Sequence, residues 1–216
     1  MRIGIIGTGV VGNTIGTKLV QLGYDVKMGS RTANNEKAAE WVKNTGSRAS
    51  QGTFEDAASF GEILFNCTPG NVSIEALKMA GAQNLKGKVL VDVANALDFS
   101  KGMPPTLPVS NTDSVGEQIQ RAFPEAKVVK SLNTLAAQVM MSPMAVPGEH
   151  DVFVSGNDPQ AKARVQKLLG EVGWKNIIDL GDISTSRGTE MYFALFIRLR
   201  MKFQSPMFNL HISKQN

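Results

Sequence analysis

The residues best able to do chemistry stand at the start of the chain, where Gly7-Thr8-Gly9-Val10-Val11-Gly12 spells G-x-G-x-x-G directly behind the β-branched run Ile3 to Ile6. This spacing suits a phosphate cradle. Gly7 permits a sharp reversal, Gly9 lacks the Cβ that would hold the backbone away from a pyrophosphate, and Gly12 lets the next helix lie close on the strand. Val11, Ile15, Leu19 and Leu22 continue at helical spacing, so the run reads as strand, tight turn, helix. The free amides and positive end of that helix face the phosphates. No Asp or Glu occurs before Asp25, so nothing in this stretch repels an anion. The bland alternative is a glycine-rich strand-to-helix turn with no ligand, and the position behind a strand and ahead of a helix argues against it.

Further along, the second apolar strand, Asp25 to Met28, ends in Gly29-Ser30-Arg31. A site for NAD usually places Asp or Glu here to bond the ribose 2′-hydroxyl, and that acid is missing. Ser30 offers a hydroxyl, and Arg31 a planar guanidinium able to take two phosphate oxygens at once, which predicts a preference for NADPH. Cys67-Thr68-Pro69 follows the strand Glu62 to Asn66, where the nicotinamide half of a cofactor would lie, and Ala94-Asn95 follows the strand Lys88 to Val93 at the same edge. Cys67 has no His near it in sequence and reads as a buried hydrophobe and not as a nucleophile. His150 and His211 are isolated and read as neither ligands nor bases.

The elements that must position these residues alternate. Asn34 or Asn35 reads as the N-cap of a helix through Trp41, Thr53 to Asp56 as a capping box, and Ser73 to Ala82 as a helix. Asp98 to Thr112 is a loop, Ser114 to Glu117 a second capping box for a helix to Phe123, and Ala126 to Ser131 a strand. Asn133-Thr134-Leu135-Ala136-Ala137 and a methionine-rich patch at Met140, Met141 and Met144 come next; methionine at this density fills a core or lines a flat ring. A strand from Asp151 to Gly156, a helix from Asp158-Pro159 to Val172 and a strand from Lys175 to Leu180 complete the rhythm. The pattern predicts an α/β chain, a Rossmann-type doubly wound, mainly parallel sheet with a small C-terminal helical and strand extension. Residues 1–216 form one domain in this reading, with 1–130 the dinucleotide-binding core and 131–216 completing the substrate site. From Met191 to Phe203 the chain is apolar nearly all the way round a helix, which must be enclosed, and we expect a homodimer seam there. The tail Phe208 to Ile212 alternates like a strand.

Composition narrows the function. The 216 residues, 42% hydrophobic, suffice for one sizeable core and not for two full domains. A net charge of +4, from 23 basic and 19 acidic residues spread along the chain, suits a small anionic ligand. No basic patch interleaved with aromatics argues for nucleic acid. A single cysteine excludes an internal disulfide and a Cys-based zinc site. Neither a signal peptide nor a run of about 18 apolar residues is evident, so the expected location is the cytoplasm, with no membrane partner.

Taken in order, the glycine turn, Gly29-Ser30-Arg31, Thr68-Pro69, Ser114-Val-Gly-Glu117, Val128 to Thr134 and Ser186-Arg187 with Glu190 resemble the NADPH:coenzyme F420 oxidoreductases over nearly the whole chain. The cytosolic reductase domain of six-transmembrane ferric reductases is similar around Lys130, Asn133 and Thr134. The resemblance implies that Thr8, Val10, Val11, Ser30 and Arg31 hold NADP and that Thr68, Pro69 and Ala137 lie beside the nicotinamide; Cys67, Ala94 and Asn95 are expected there from their place at the sheet edge, and Asn133, Thr134 and Leu135 are expected to meet the second substrate. That substrate would be coenzyme F420, an 8-hydroxy-5-deazaflavin, or a flavin. The sequence departs from the family at Asn133 and Ala136, where His and Pro are usual, and at Gly70-Asn71-Val72 after the proline. Hydride transfer between two rings needs no acid–base dyad, in keeping with the residues at hand. A non-catalytic NADPH-binding redox sensor, or a reductase of another acceptor such as a ferric chelate, is the alternative.

Overall fold

The computed structural model describes residues 1–215. Along the chain run β1 (Arg2–Ile6), α1 (Val10–Gln21), β2 (Asp25–Ser30), α2 (Glu36–Thr45), β3 (Ala49–Thr53), α3 (Phe54–Phe60), β4 (Ile63–Asn66), α4 (Ser73–Ala80), α5 (Ala82–Leu85) and β5 (Val89–Asp92). They are followed by α6 (Val115–Ala122), β6 (Lys127–Ser131), α7 (Ala137–Met141), β7 (Asp151–Gly156), α8 (Pro159–Val172), β8 (Asn176–Gly181) and α9 (Ser186–Phe203). The strands form one sheet in the order β3-β2-β1-β4-β5-β6-β7-β8. Neighbours are parallel except β6 and β7. The first six positions have the order of a dinucleotide-binding Rossmann sheet, whose direction of winding reverses between β1 and β4.

Strand residues alternate between two cores, as a sheet covered on both faces requires. Ile3, Ile5, Ile63, Phe65, Val89, Val91 and Val129 pack with residues of α1, α2, α7, α8 and α9. Ile6, Leu64, Leu90 and Val128 pack with residues of α3, α4, α5 and α6. Two close approaches set the layer spacing. A Cβ on Gly4 would stand 2.2 Å from the Ala57 carbonyl oxygen, and one on Gly16 would stand 2.9 Å from the Trp41 ring. The Trp41 Nε1 donates to Thr17 Oγ1 at 3.0 Å and so locks α2 onto α1.

Local signals place most helix starts. Asn35 Oδ1 accepts from the Ala38 amide at 3.1 Å, and Thr53 with Asp56 makes a reciprocal capping box. Asp158 caps α8 with Pro159 in its first turn, and the helix stops at left-handed Gly173, φ 116°.

The structure corrects four expectations. β3 was absent from the sequence reading because Ala49-Ser-Gln-Gly-Thr53 has no apolar alternation; it is an edge strand held by pairing with β2, Val26 opposite Ala49 through Ser30 opposite Thr53. The helix expected from Ser73 to Ala82 breaks at Gly81, φ 86°, into α4 and α5. The capping box at Ser114 is only half made: Ser114 Oγ accepts from the Glu117 amide, but the Glu117 carboxylate turns to Ser114 Oγ and Arg187. The tail from Phe208 to Ile212 is no strand; Asp151 ties it down, its amide donating to the Leu210 carbonyl at 2.8 Å and its Oδ2 accepting from the Ile212 amide at 2.5 Å.

Candidate functional site

The three glycines of the opening turn act through different constraints. Gly7 has φ 123°, and a Cβ there would lie 2.8 Å from the Cys67 carbonyl oxygen. A Cβ on Gly12 would lie 2.2 Å from the Gly7 carbonyl oxygen, so α1 can close on the turn only without one. A Cβ on Gly9 would meet no protein atom within 4 Å, so packing within the chain does not require glycine there. Helix α1 has no side-chain cap and no acid in its first turn. Its first amides and its positive end therefore open on the cleft that the turn borders.

That cleft has a volume of about 1000 Å³ and runs across the carboxyl edge of the sheet at the β1–β4 switch. At one end it meets a side pocket of about 390 Å³ lined by Thr8, Ser30, Arg31, Thr32, Asn35 and Phe54. Ser30, 4% exposed, lines the pocket, and its hydroxyl donates to the Thr32 carbonyl and accepts from the Thr32 amide. Arg31, exposed, is the cation at that end.

At the other end the floor is a buried polar network. Asn66 donates through Nδ2 to Ser73 Oγ at 2.9 Å and Asp92 Oδ1 at 2.8 Å, and its Oδ1 accepts from Thr68 Oγ1 at 2.6 Å. These bonds fix Thr68 at the cleft wall. Lys130, 1% exposed in the buried part of β6 beside Val128 and Val129, donates to Asp92 Oδ2 at 2.8 Å, Ala94 O at 2.5 Å and Glu190 Oε1 at 2.7 Å. Burial alone would push the Lys130 ammonium down, but the Asp92 and Glu190 carboxylates outweigh it and raise its pKa. Glu190 also accepts from the Val115 and Gly116 amides at 2.8 and 3.1 Å, capping α6 from α9. Asn95 and Asn133 exchange bonds, Asn95 Nδ2 to the Asn133 carbonyl at 2.8 Å and Asn133 Nδ2 to Asn95 Oδ1 at 3.1 Å. The chain reaches Asn133 through Leu132, a buried residue at φ 63°, a conformation that costs a non-glycine residue about 1–2 kcal/mol.

Of the residues expected at the site, Gly7, Thr8, Gly9, Val10, Val11, Arg31, Cys67, Thr68, Pro69, Ala94, Asn95, Asn133, Leu135 and Ala137 line the cleft. Gly12 and Thr134 do not: Gly12 packs α1 on the turn, and Thr134 is buried at 3% exposure. Met140 both fills the core and borders the cleft, Met141 is core, and Met144 is 79% exposed. Burial, helped by the Asp92 carboxylate, pushes the Cys67 thiol far up, out of range for thiolate chemistry. His150 and His211 lie off the cleft, His150 against the Pro143 carbonyl and His211 beside Asp151. Among the described residues no group of three or more His, Cys, Asp or Glu could hold a metal ion. Nor is any helix long and apolar enough to cross a membrane.

The sequence reading missed Phe54, Met79, Phe99 and Phe193, which with Val72 and Leu97 form apolar walls of the cleft. The missing signal is physical: an apolar residue on a helix looks the same whether it faces the core or a cleft. Lys130 did carry a signal, since an ammonium inside a buried strand must be paired.

A Rossmann sheet with an uncapped glycine-turn helix and a cleft at its switch point has the form of a dinucleotide-binding protein. The model of the family described as "NADP oxidoreductase coenzyme F420-dependent" matches residues 2–96. A crystal structure from Arthrobacter sp. FB24, a putative F420-dependent NADP reductase, is 48% identical with a TM-score of 0.95, covering 99% of this chain and 100% of that one. The F420-dependent NADP reductase of Methanocaldococcus jannaschii is 29% identical over 99% of this chain and 98% of its own. The metalloreductase STEAP3 of Rattus norvegicus is 27% identical over 95% of this chain, which spans only 38% of that protein. The chain belongs to the coenzyme F420-dependent NADP oxidoreductase family, and it is an NADP-dependent oxidoreductase.

Proposed function

We propose that the protein transfers hydride between NADP(H) and a deazaflavin of the coenzyme F420 type or a flavin. The observation that carries this reading is the continuity of the cleft, which leads from Arg31 past the glycine turn to Thr68, Asn95 and Asn133 and on between apolar walls. The amides of Val10 and Val11 and the end of α1 would hold the pyrophosphate, and Arg31, with Thr8 and Asn35 beside it, the 2′-phosphate. Cys67, Thr68, Pro69, Ala94, Asn95 and Ala137 would shape the place of the nicotinamide. Asn133 and Leu135, with Thr134 behind them, would meet the acceptor.

NADPH bound there supplies hydride from nicotinamide C4, which C5 of a deazaflavin or N5 of a flavin accepts. The chain has to hold two rings roughly 3–3.5 Å apart and keep water out. The ionisable residues along the cleft are Arg31, Cys67 and Glu75, and Glu75 pairs with Lys78 at 2.8 Å. A hydroxy-acid substrate would need a placed proton carrier, and none of these suits that task. Ring-to-ring hydride transfer has no such need.

The test is anaerobic absorbance. With NADPH and catalytic amounts of protein the deazaflavin band bleaches, and with NADH it does so much more slowly. FMN, FAD and a ferric chelate run as parallel acceptors. No reduction of deazaflavin or flavin overturns the reading, and NADPH binding without turnover on any acceptor marks a redox-sensing module instead.

A further inference from the structure

We propose that Phe193 is the side chain against which the acceptor ring is held, and that the buried pair Lys130–Glu190 positions it. The inference rests on the hydride-transfer reading above and adds the wall that receives the second ring. Phe193 lies on α9, borders the cleft, and is only half buried, so part of the ring is open to that space. It cannot swing freely, because Phe196 stacks on it at 5.0 Å with an interplanar angle of 18°, and Phe208 backs Phe196 at 5.0 Å. The flat apolar surface therefore faces the cleft in one orientation, and a planar heteroaromatic ring is what such a surface holds best.

What sets the position of α9 is one ammonium group. Glu190 stands three residues before Phe193, on the same side of the helix. Its carboxylate accepts from Lys130 Nζ and from the Val115 and Gly116 amides, so the helix can neither rotate nor slide without breaking a buried charge network. The same Nζ donates to the Ala94 carbonyl, and Ala94 and Asn95 also line the cleft. Lys130 thus ties the loop after β5 and the helix carrying Phe193 to a common point. Lys130 and Glu190 are positioning residues; neither lines the cleft.

Steady-state kinetics with 8-hydroxy-5-deazaflavin and with FMN, beside NADPH titrations, tests this. Phe193→Ala raises the acceptor KM about tenfold, the scale of one lost stacking contact, and leaves the NADPH Kd unchanged. Phe193→Tyr restores the KM. Glu190→Gln shifts the acceptor KM in the same direction with the NADPH Kd unchanged. Should that variant not fold, as judged by circular dichroism, Lys130→Arg keeps the charge, alters the geometry and gives the same reading. An acceptor KM unmoved by Phe193→Ala in an active enzyme, or a rise in the NADPH Kd instead, overturns this inference alone. A wild type that reduces neither acceptor overturns the function on which it rests, and this inference with it.

Discussion

Replacing Arg31 by alanine bears on the cofactor end of the cleft. The side pocket is lined by Thr8, Ser30, Arg31, Thr32, Asn35 and Phe54, so the guanidinium is the charged group among them. Ser30 already spends its hydroxyl on Thr32. A 2′-phosphate therefore depends on Arg31 for charge and on its fork of donors for geometry. Charge-assisted hydrogen bonds contribute about 1.5–3 kcal/mol each, and exposure brings the pair toward about 2 kcal/mol in total, roughly thirtyfold in Kd. Isothermal titration with NADPH and NADH, at low and high salt, is the assay. The expected result is that Arg31→Ala weakens NADPH by that factor, leaves NADH nearly unchanged, and removes most of the salt dependence that distinguishes the two. Equal loss for both coenzymes would mean that Arg31 supports the loop and not the phosphate. No loss for either would refute the assignment of the pocket.

Two further outcomes follow from other parts of the molecule. Asp113 accepts from Arg121 at 3.0 and 2.7 Å, and this pairing holds its pKa down at about 2 against 3.8 unperturbed. Because the folded value is the lower one, its contribution to stability is complete above 3.8 and is lost as pH falls toward about 2; Asp113→Asn should flatten the fall of the thermal midpoint in that window, and an unchanged slope would contradict the pairing. We also propose a homodimer closed by α9, where Met191, Leu195, Met201 and Phe203 are 38, 52, 49 and 57% exposed. Light scattering should give the mass of two chains for the wild type and of one for Leu195→Glu; a monomeric wild type sinks the proposal.

The glycine turn and the helix it opens, which we propose as the cofactor end, were legible in the sequence because their physics is local. Backbone amides and a helix end recognise phosphate, and the freedom they need is written as glycine at three positions within six residues. The caps at Asn35, Thr53 and Asp158 were readable on the same ground, each side chain bonding an amide three residues on. β3 was not, since an edge strand paired on one side only needs no apolar alternation. The network around Lys130 was half readable. A lysine next to Val128 and Val129 in a buried strand needs partners, but Asp92 and Glu190 come from distant parts of the chain and only the packed sheet brings them together.

The end we propose for the acceptor differs in kind. Its walls are side chains from α4, α7, α9 and the loop after β5, elements far apart in sequence, and a ring is recognised by the shape they enclose and not by a spacing. The two ends are thus built on separate constraints. Changes at Val72, Met79 or Phe193 can reshape the pocket for the acceptor while the glycine turn and Arg31 stay as they are. Departures from the family pattern at Gly70-Asn71-Val72 and at Asn133 fall on the end we propose for the acceptor, so in that proposal they bear on the choice of acceptor and not on the coenzyme.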